Sequence, residues 1–257
     1  MLLTLIIDIN INNDISVICK PRGELAVPDD TIARRSNRSS YSPLAAKAAV
    51  AFDQLKRDIM LGELRAGEPL TELDLAARFQ CSQGTIREAL LQLQEEGLVR
   101  RQGHRGTQVS ACTVDEAVEM FRVRQQIECN GIVRALRHKS RTLVSDLQEL
   151  ADDMAESANS GDELQLAALD RDFHRRIFRD ADLPALDPIL HRCLVHNHRF
   201  KISRSIGSRD LMATALRHRV IVETIEQGDV AAAMQALHHH IATIVDFGPT
   251  VFPDADQ

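Results

Sequence analysis

The sequence predicts a mainly α chain in two modules: a small helical N-terminal module with a minor β element, then an all-α six-helix antiparallel bundle. Three observations carry this. Aromatics are only 4% of the 257 residues, with no Trp, and Leu, Ala and Ile fill the apolar positions, a composition suited to helices packed on helices. From residue 43 onward apolar residues recur at helical spacing in successive segments, broken by Gly, Ser, Asp and Pro signals. Only two short runs in this part, around residues 98–102 and 107–111, read as extended. A chain about 1.7 times the ~150-residue single-domain length fits two modules.

Composition narrows the class further. Apolar residues make up 44% and charged residues 26%, ordinary values for a globular chain that exclude global disorder and collagen. No apolar run approaches the ~20 residues needed to cross a bilayer, so no membrane partner is expected. Five cysteines, an odd number without CxxC spacing, point to reduced thiols in the cytoplasm and against a Cys-based zinc site. The net charge is −6, but Lys+Arg against Asp+Glu count 5 to 5 over residues 1–40, 9 to 9 over 41–112 and 17 to 23 over 113–257. The acidity therefore sits in the C-terminal part, and the neutral middle segment can still present clustered arginines to phosphate.

Residues 1–42 fit poorly with the rest. The stretch LLTLIIDININND lacks a basic n-region and a cleavage site, so it fails as a signal peptide. Residues 7–12 alternate like a strand without a partner, and the following stretch is rich in charge and turn formers. A flexible arm or an extension from a misplaced start is expected.

Residues 43–111 read as a winged helix-turn-helix. Leu44, Ala48, Phe52, Leu55 and Ile59 mark a first helix that Gly62 ends. Thr71 to Asp74 form a capping-box-like start to a short second helix through Leu73, Leu75, Ala76 and Phe79. Ser82 caps a third, with core face Ile86, Ala89, Leu90 and Leu93, and Gly97 stops it. Two short helices joined by a tight turn, the second offering its N-terminal residues to a groove, describe a DNA-reading element. The two extended runs around residues 103–106 make a two-stranded wing. Ser82, Gln83, Gly84, Thr85 and Arg87 open the third helix and are expected at the duplex: Gln suits adenine, Arg suits guanine or phosphate, and Gly84 allows close backbone approach. Arg78, Arg101 and, in the wing turn, His104, Arg105 and Gly106 are expected near phosphates or the minor groove.

Residues 113–250 read as helices near 113–138, 142–159, 162–180, 184–205, 209–227 and 229–247, an antiparallel bundle. Asp170 and His174 are four apart and flank the stripe Leu166, Leu169, Phe173, Ile177. His218 falls in the apolar stripe Leu211, Ala215, Val222, Ile225, and His240 in the stripe Leu237, Ile241, Ile244. His218 lies 10 residues before Gly228 and His240 lies 12 after it, so at ~1.5 Å per residue both stand nearly level on antiparallel helices. Three imidazoles and one carboxylate at one level either hold a divalent metal, zinc first with nickel or manganese as alternatives, or form a set of buried hydrogen-bonded histidines. His239 points away, His238 is intermediate, and His138 is exposed. His196 shares a stripe with Ile189, Cys193 and Phe200 and is either a liner of an effector pocket or a satisfied core histidine.

The runs IMLGELRAGEPL (59–70), LAARF (75–79), SQGTIREALLQL (82–93), EGLV (96–99) and RGTQV (105–109) resemble the DNA-binding domain of the GntR family of bacterial transcription regulators. The sequence departs from that pattern at Gln83, where the family usually has Arg. DRDFH (170–174), HRVIVETIEQGDVAAAM (218–234) and HI (240–241) resemble the FCD ligand-sensing domain of the FadR subfamily. That resemblance implies a metal held by Asp170, His174, His218 and His240. It also implies, from RQQIE (124–128), an Arg124 facing the effector.

The expected function is therefore that of a cytoplasmic, homodimeric transcription regulator, usually a repressor in this family. It would bind double-stranded operator DNA under control of a small carboxylate effector, and it would not be an enzyme. The alternative is a metal-dependent hydrolase with a helical Asp/His site. It lacks an HExxH motif, a His-Asp dipeptide and an evident general base.

Overall fold

The structure, a computed structural model, describes residues 43–103, 106–204 and 210–242. The expected N-terminal arm (1–42), His104 and Arg105 of the wing turn, and any continuation of the last helix past residue 242 lie outside the described residues.

Helix α1 (Pro43–Leu61) buries Ala48, Ala51, Leu55 and Ile59, one face at helical spacing. Strand β1 (Pro69–Leu70) leads to α2 (Glu72–Phe79), which Thr71 caps by accepting from the Asp74 amide. Ser82 caps α3 (Gln83–Glu95) in the same way through the Thr85 amide, leaving the first turn of α3 at the surface. Strands β2 (Val99–Arg101) and β3 (Thr107–Val109) pair antiparallel, with Val99 opposite Val109 and Arg101 opposite Thr107. The wing is larger than expected: β1 pairs with β3, Pro69 opposite Gln108, so the sheet has three strands in the order β1-β3-β2. The two residues of β1 were too short a run to show alternation in the sequence. Of the apolar residues that mark α2, Leu75 is buried and Leu73 is 66% exposed.

The bundle comprises α4 (Val114–Arg137), α5 (Leu143–Ser160), α6 (Glu163–Arg179), α7 (Asp187–Arg204), α8 (Leu211–Leu216), α9 (His218–Gln227) and α10 (Val230–Ala242). Thr113 and Glu116 close a reciprocal capping box on α4. Phe121, Ile132, Leu143, Leu147, Met154, Phe173, Ile177, Ile221, Ile225 and Leu237 form its core. At Gly131 a Cβ would stand 2.7 Å from the Phe178 ring, so this glycine sets how closely α4 and α6 approach. The segment expected as one helix over 209–227 is two, α8 and α9, joined at Arg217.

The two modules share apolar side chains. Val195 and Ile202 of α7 and Ala167 of α6 pack into the same cluster as Leu55, Ile59, Leu93 and Leu98. Helix α7 is consequently covered on both sides, by α4 and α6 of the bundle and by α1 of the N-terminal module. Polar links join the same surfaces: Glu96 accepts from Lys56 at 2.7 Å and from His191 Nε2 at 3.1 Å, and Arg199 donates to the Ser110 carbonyl at 2.7 Å.

Candidate functional site

The face expected to meet DNA is pre-ordered by ion pairs. Ser82, Gln83, Gly84 and Arg87 are exposed at the start of α3. Glu72, at the first turn of α2, accepts from Arg87 Nε at 3.0 Å and Nη2 at 2.7 Å, and from Arg101 Nη2 at 3.5 Å. The Arg87 guanidinium holds the Glu72 carboxyl below its usual range. Arg78 donates to the buried Asp58 at 2.6 Å and so ties α2 to α1. Thr85 is a correction: it is 4% exposed, its hydroxyl paired with Ser82 Oγ at 2.9 Å, so it closes the cap and faces inward. Gly106 has φ +81°, a left-handed conformation that favours glycine in the wing turn.

In the bundle Asp170, His174, His218 and His240 converge, each offering one ligand atom, all within 4.8 Å of one another. Asp170 and His174 come from one face of α6, His218 from the first turn of α9 and His240 from the last turn of α10. The His218 and His240 rings are 4.4 Å apart, as the antiparallel hairpin about Gly228 requires. His239 and His238 are exposed, as is His138.

The surroundings orient these rings. His174 Nδ1 lies 2.5 Å from Glu128 Oε2, and Glu128 Oε1 accepts from Arg124 Nε at 2.5 Å. His218 Nδ1 lies 3.2 Å from the Ala215 carbonyl. Both contacts place the N–H on Nδ1 and aim the Nε2 lone pair into the cluster, the arrangement by which outer partners fix the tautomer of a metal-binding histidine. Burial pushes the His174 pKa down against the pull of Glu128, and it pushes that of His240 well down. Burial also opposes ionisation of Asp170, yet His198, His218 and His174 outweigh it and hold this carboxyl well below the usual range. The result is neutral His174 and His240 imidazoles beside one carboxylate, the protonation states metal binding demands of them.

The residues fit a divalent ion. Among the described residues His174 Nε2, His218 Nε2 and His240 Nδ1 are buried without a hydrogen-bond partner, and Asp170 Oδ2, equally buried, has only His198 Nε2 at 3.0 Å. Native interiors rarely leave such groups unmatched. His218 Nε2 and Asp170 Oδ1 are 3.2 Å apart, a spacing compatible with ligands about 2.0–2.2 Å from a common ion.

Three comparisons bear on identity. The description "Bacterial regulatory proteins, gntR family" matches residues 47–109, and the FCD domain matches residues 119–243. A protein described as a probable D-xylose utilization operon transcriptional repressor of Paenarthrobacter nicotinovorans is 30% identical over 216 residues, 83% of this chain and 91% of that one. The chain belongs to the GntR family. The gluconate operon transcriptional repressor of Bacillus subtilis (strain 168) is 26% identical over 204 residues, covering 77% of this chain and 82% of its own. Among solved structures, E. coli McbR/YncC shares the fold with TM-score 0.64 at 19% identity, over 77% of this chain and 95% of that one. The family description and both relatives are those of transcription regulators, so this GntR-family chain is a transcription regulator and not an enzyme, and the hydrolase alternative finds no support. No helix among the described residues is long and apolar enough to cross a membrane.

Two expectations on effector residues need adjustment. Arg124 is 2% exposed and lies behind His174, bound to Glu128, with Nη2 left without a partner among the described residues. His196 is buried on the side of α7 that faces the N-terminal module, where it lines a different cavity. Sequence reasoning missed His198, which is 5% exposed with Nε2 3.0 Å from Asp170 Oδ2. The signal was hidden because α7 is covered on both sides and presents no single apolar stripe from which an inward histidine stands out.

Proposed function

We propose that this GntR-family regulator represses transcription as a cytoplasmic homodimer on a two-fold symmetric operator. We further propose that a small carboxylate effector, bound in a metal-containing pocket of the FCD domain, releases it. The observation that carries this is the convergence of Asp170, His174, His218 and His240, each histidine with one buried ring nitrogen that has no partner among the described residues. Zinc suits this donor set first, with nickel or manganese as alternatives. A divalent ion held there would supply an open coordination position for a carboxylate. Arg124, fixed at Nε by Glu128 and unpartnered at Nη2 among the described residues, is the chain's own cation for the effector's charge. Dimerisation follows from reading: one α3 spans too few base pairs for useful specificity. Ser82, Gln83, Gly84 and Arg87 read or contact the duplex, while Arg78, Arg101, His104, Arg105 and Gly106 engage its backbone.

Metal analysis of the full chain purified without chelator tests the pocket. About one divalent ion per chain is expected, lost in His174→Ala and His218→Ala and retained in His239→Ala. Absence of metal, or equal loss from all three variants, contradicts the proposal.

A further inference from the structure

Helix α7 separates two polar sites. His198 faces Asp170, whereas Arg192 and His196, one helical turn apart, face the other way onto the wing. There a cavity of about 430 Å³ opens between Gly97, Val99 and Arg100 of the N-terminal module, the connecting residues Ser110–Cys112, and Glu116 and Met120 of α4. That volume is in the range of small-ligand sites.

Its polar lining is cationic and incompletely matched. His196 is 3% exposed, and among the described residues its ring has only a poorly aligned contact with the Glu96 backbone. Arg192 lies so close to the Gly97 backbone that a Cβ there would stand 2.5 Å from its Nε, and it makes no ion pair among the described residues. Arg100 is exposed beside it on β2. The one carboxylate lining the cavity, Glu116, is engaged in the α4 capping box with the Thr113 amide. Arg192, Arg100 and the buried His196 imidazole thus line one cavity with a single carboxylate, Glu116, which faces Arg100 and His196, while the Gln108 side-chain oxygen accepts from Arg100 Nε and Nη2 at 2.6 Å; the cations outnumber the anions. Guanidiniums form strong, directional hydrogen bonds to oxyanions.

We infer that the cavity between the wing and α7 is a second ligand site, taking a small soluble oxyanion, a phosphate or carboxylate, on Arg192, Arg100 and His196. The site does not use the metal cluster, which lies on the opposite side of α7. Its walls come from both modules, so an occupant bridges them and favours the arrangement described here over any in which the wing moves relative to α4.

The test uses the full chain carrying 13Cε1-labelled histidine, titrated with inorganic phosphate. The His196 resonance, assigned by its loss in His196→Gln, is expected to shift saturably while those of His174 and His218 stay in place. Arg192→Gln, a substitution at an exposed side chain, is expected to weaken phosphate by about tenfold, the loss of one charge-assisted hydrogen bond. His218→Ala is expected to leave the titration unchanged. The inference is overturned by a His196 resonance that never moves, by equal affinity in Arg192→Gln, by a response seen only with DNA, or by a response abolished in His218→Ala.

Discussion

Replacing Glu128 by Gln separates what the buried carboxylate does for folding from what it does for the metal pocket. Glu128 is 3% exposed and Arg124 2%, and each of the two Glu128 oxygens has one partner, Arg124 Nε and His174 Nδ1, both at 2.5 Å. Burial opposes the charge on Glu128, but Arg124 and His174 keep its pKa below the usual value, so the folded protein holds a carboxylate there. Gln removes that charge and leaves the Arg124 guanidinium buried without a counterion, which costs about 3–5 kcal/mol. Denaturant unfolding of the metal-free protein reads this loss. The amide also accepts more weakly from His174, and weakening such an outer partner lowers metal affinity by about 10- to 100-fold, measured by chelator competition. The double variant Arg124→Gln/Glu128→Gln removes both buried charges and is expected to recover most of the stability, because replacing a whole buried pair is often nearly neutral. Its metal affinity stays low. Unchanged metal affinity in Glu128→Gln would refute the orienting role and leave Glu128 as a counterion alone.

Other outcomes follow from the same geometry. Arg87→Ala is expected to weaken specific operator binding by about 1–3 kcal/mol at fixed salt, whereas Glu72→Gln, which frees Arg87 and Arg101, should tighten non-specific DNA; fluorescence anisotropy reads both, and no change in either would remove the pair from the interface. His196 has its pKa lowered to about 4 by burial and by Arg199 and Arg192. It therefore stays neutral in the folded chain while the unfolded chain protonates near 6.5, so stability is whole above that pH and falls by about 3 kcal/mol as pH drops toward 4. Unfolding curves of His196→Gln should lack that part of the acid loss, and an identical pH profile would contradict the burial. Gly97→Ala is expected to cost more than Gly62→Ala although both have φ +78°, since Ala at 97 also displaces Arg192 while nothing lies within 4 Å of a Cβ at 62. The backbone strain alone is about 1–2 kcal/mol, and equal losses in thermal unfolding would mean that Arg192 moves aside freely.

Much of this was legible in the sequence because local chemistry carried it. Ser82 and Thr71 cap the helices they precede, Gly97 and Gly228 end theirs in left-handed turns, and the count about Gly228 brought His218 and His240 level. What escaped depends on contacts between segments distant in the chain. Thr85 sits in the exposed first turn of α3 but turns inward to its own cap, and β1 is a strand only because β3 lies beside it. His196 and His198 are two residues apart and serve opposite faces of α7, one toward the wing and one toward Asp170, a division no periodicity announces when both faces are covered. Arg124 was expected at an effector; its burial behind His174 shows that it first serves as the counterion of Glu128.

The most direct measurement is operator affinity, by fluorescence anisotropy, for wild type and His218→Ala across a panel of small carboxylates. One carboxylate is expected to raise the wild-type dissociation constant by about 5- to 150-fold, the span of a 1–3 kcal/mol coupling. His218→Ala should bind the operator and ignore that compound. Release of both proteins to the same extent, or of neither by any carboxylate, would contradict control through the Asp170, His174, His218 and His240 pocket.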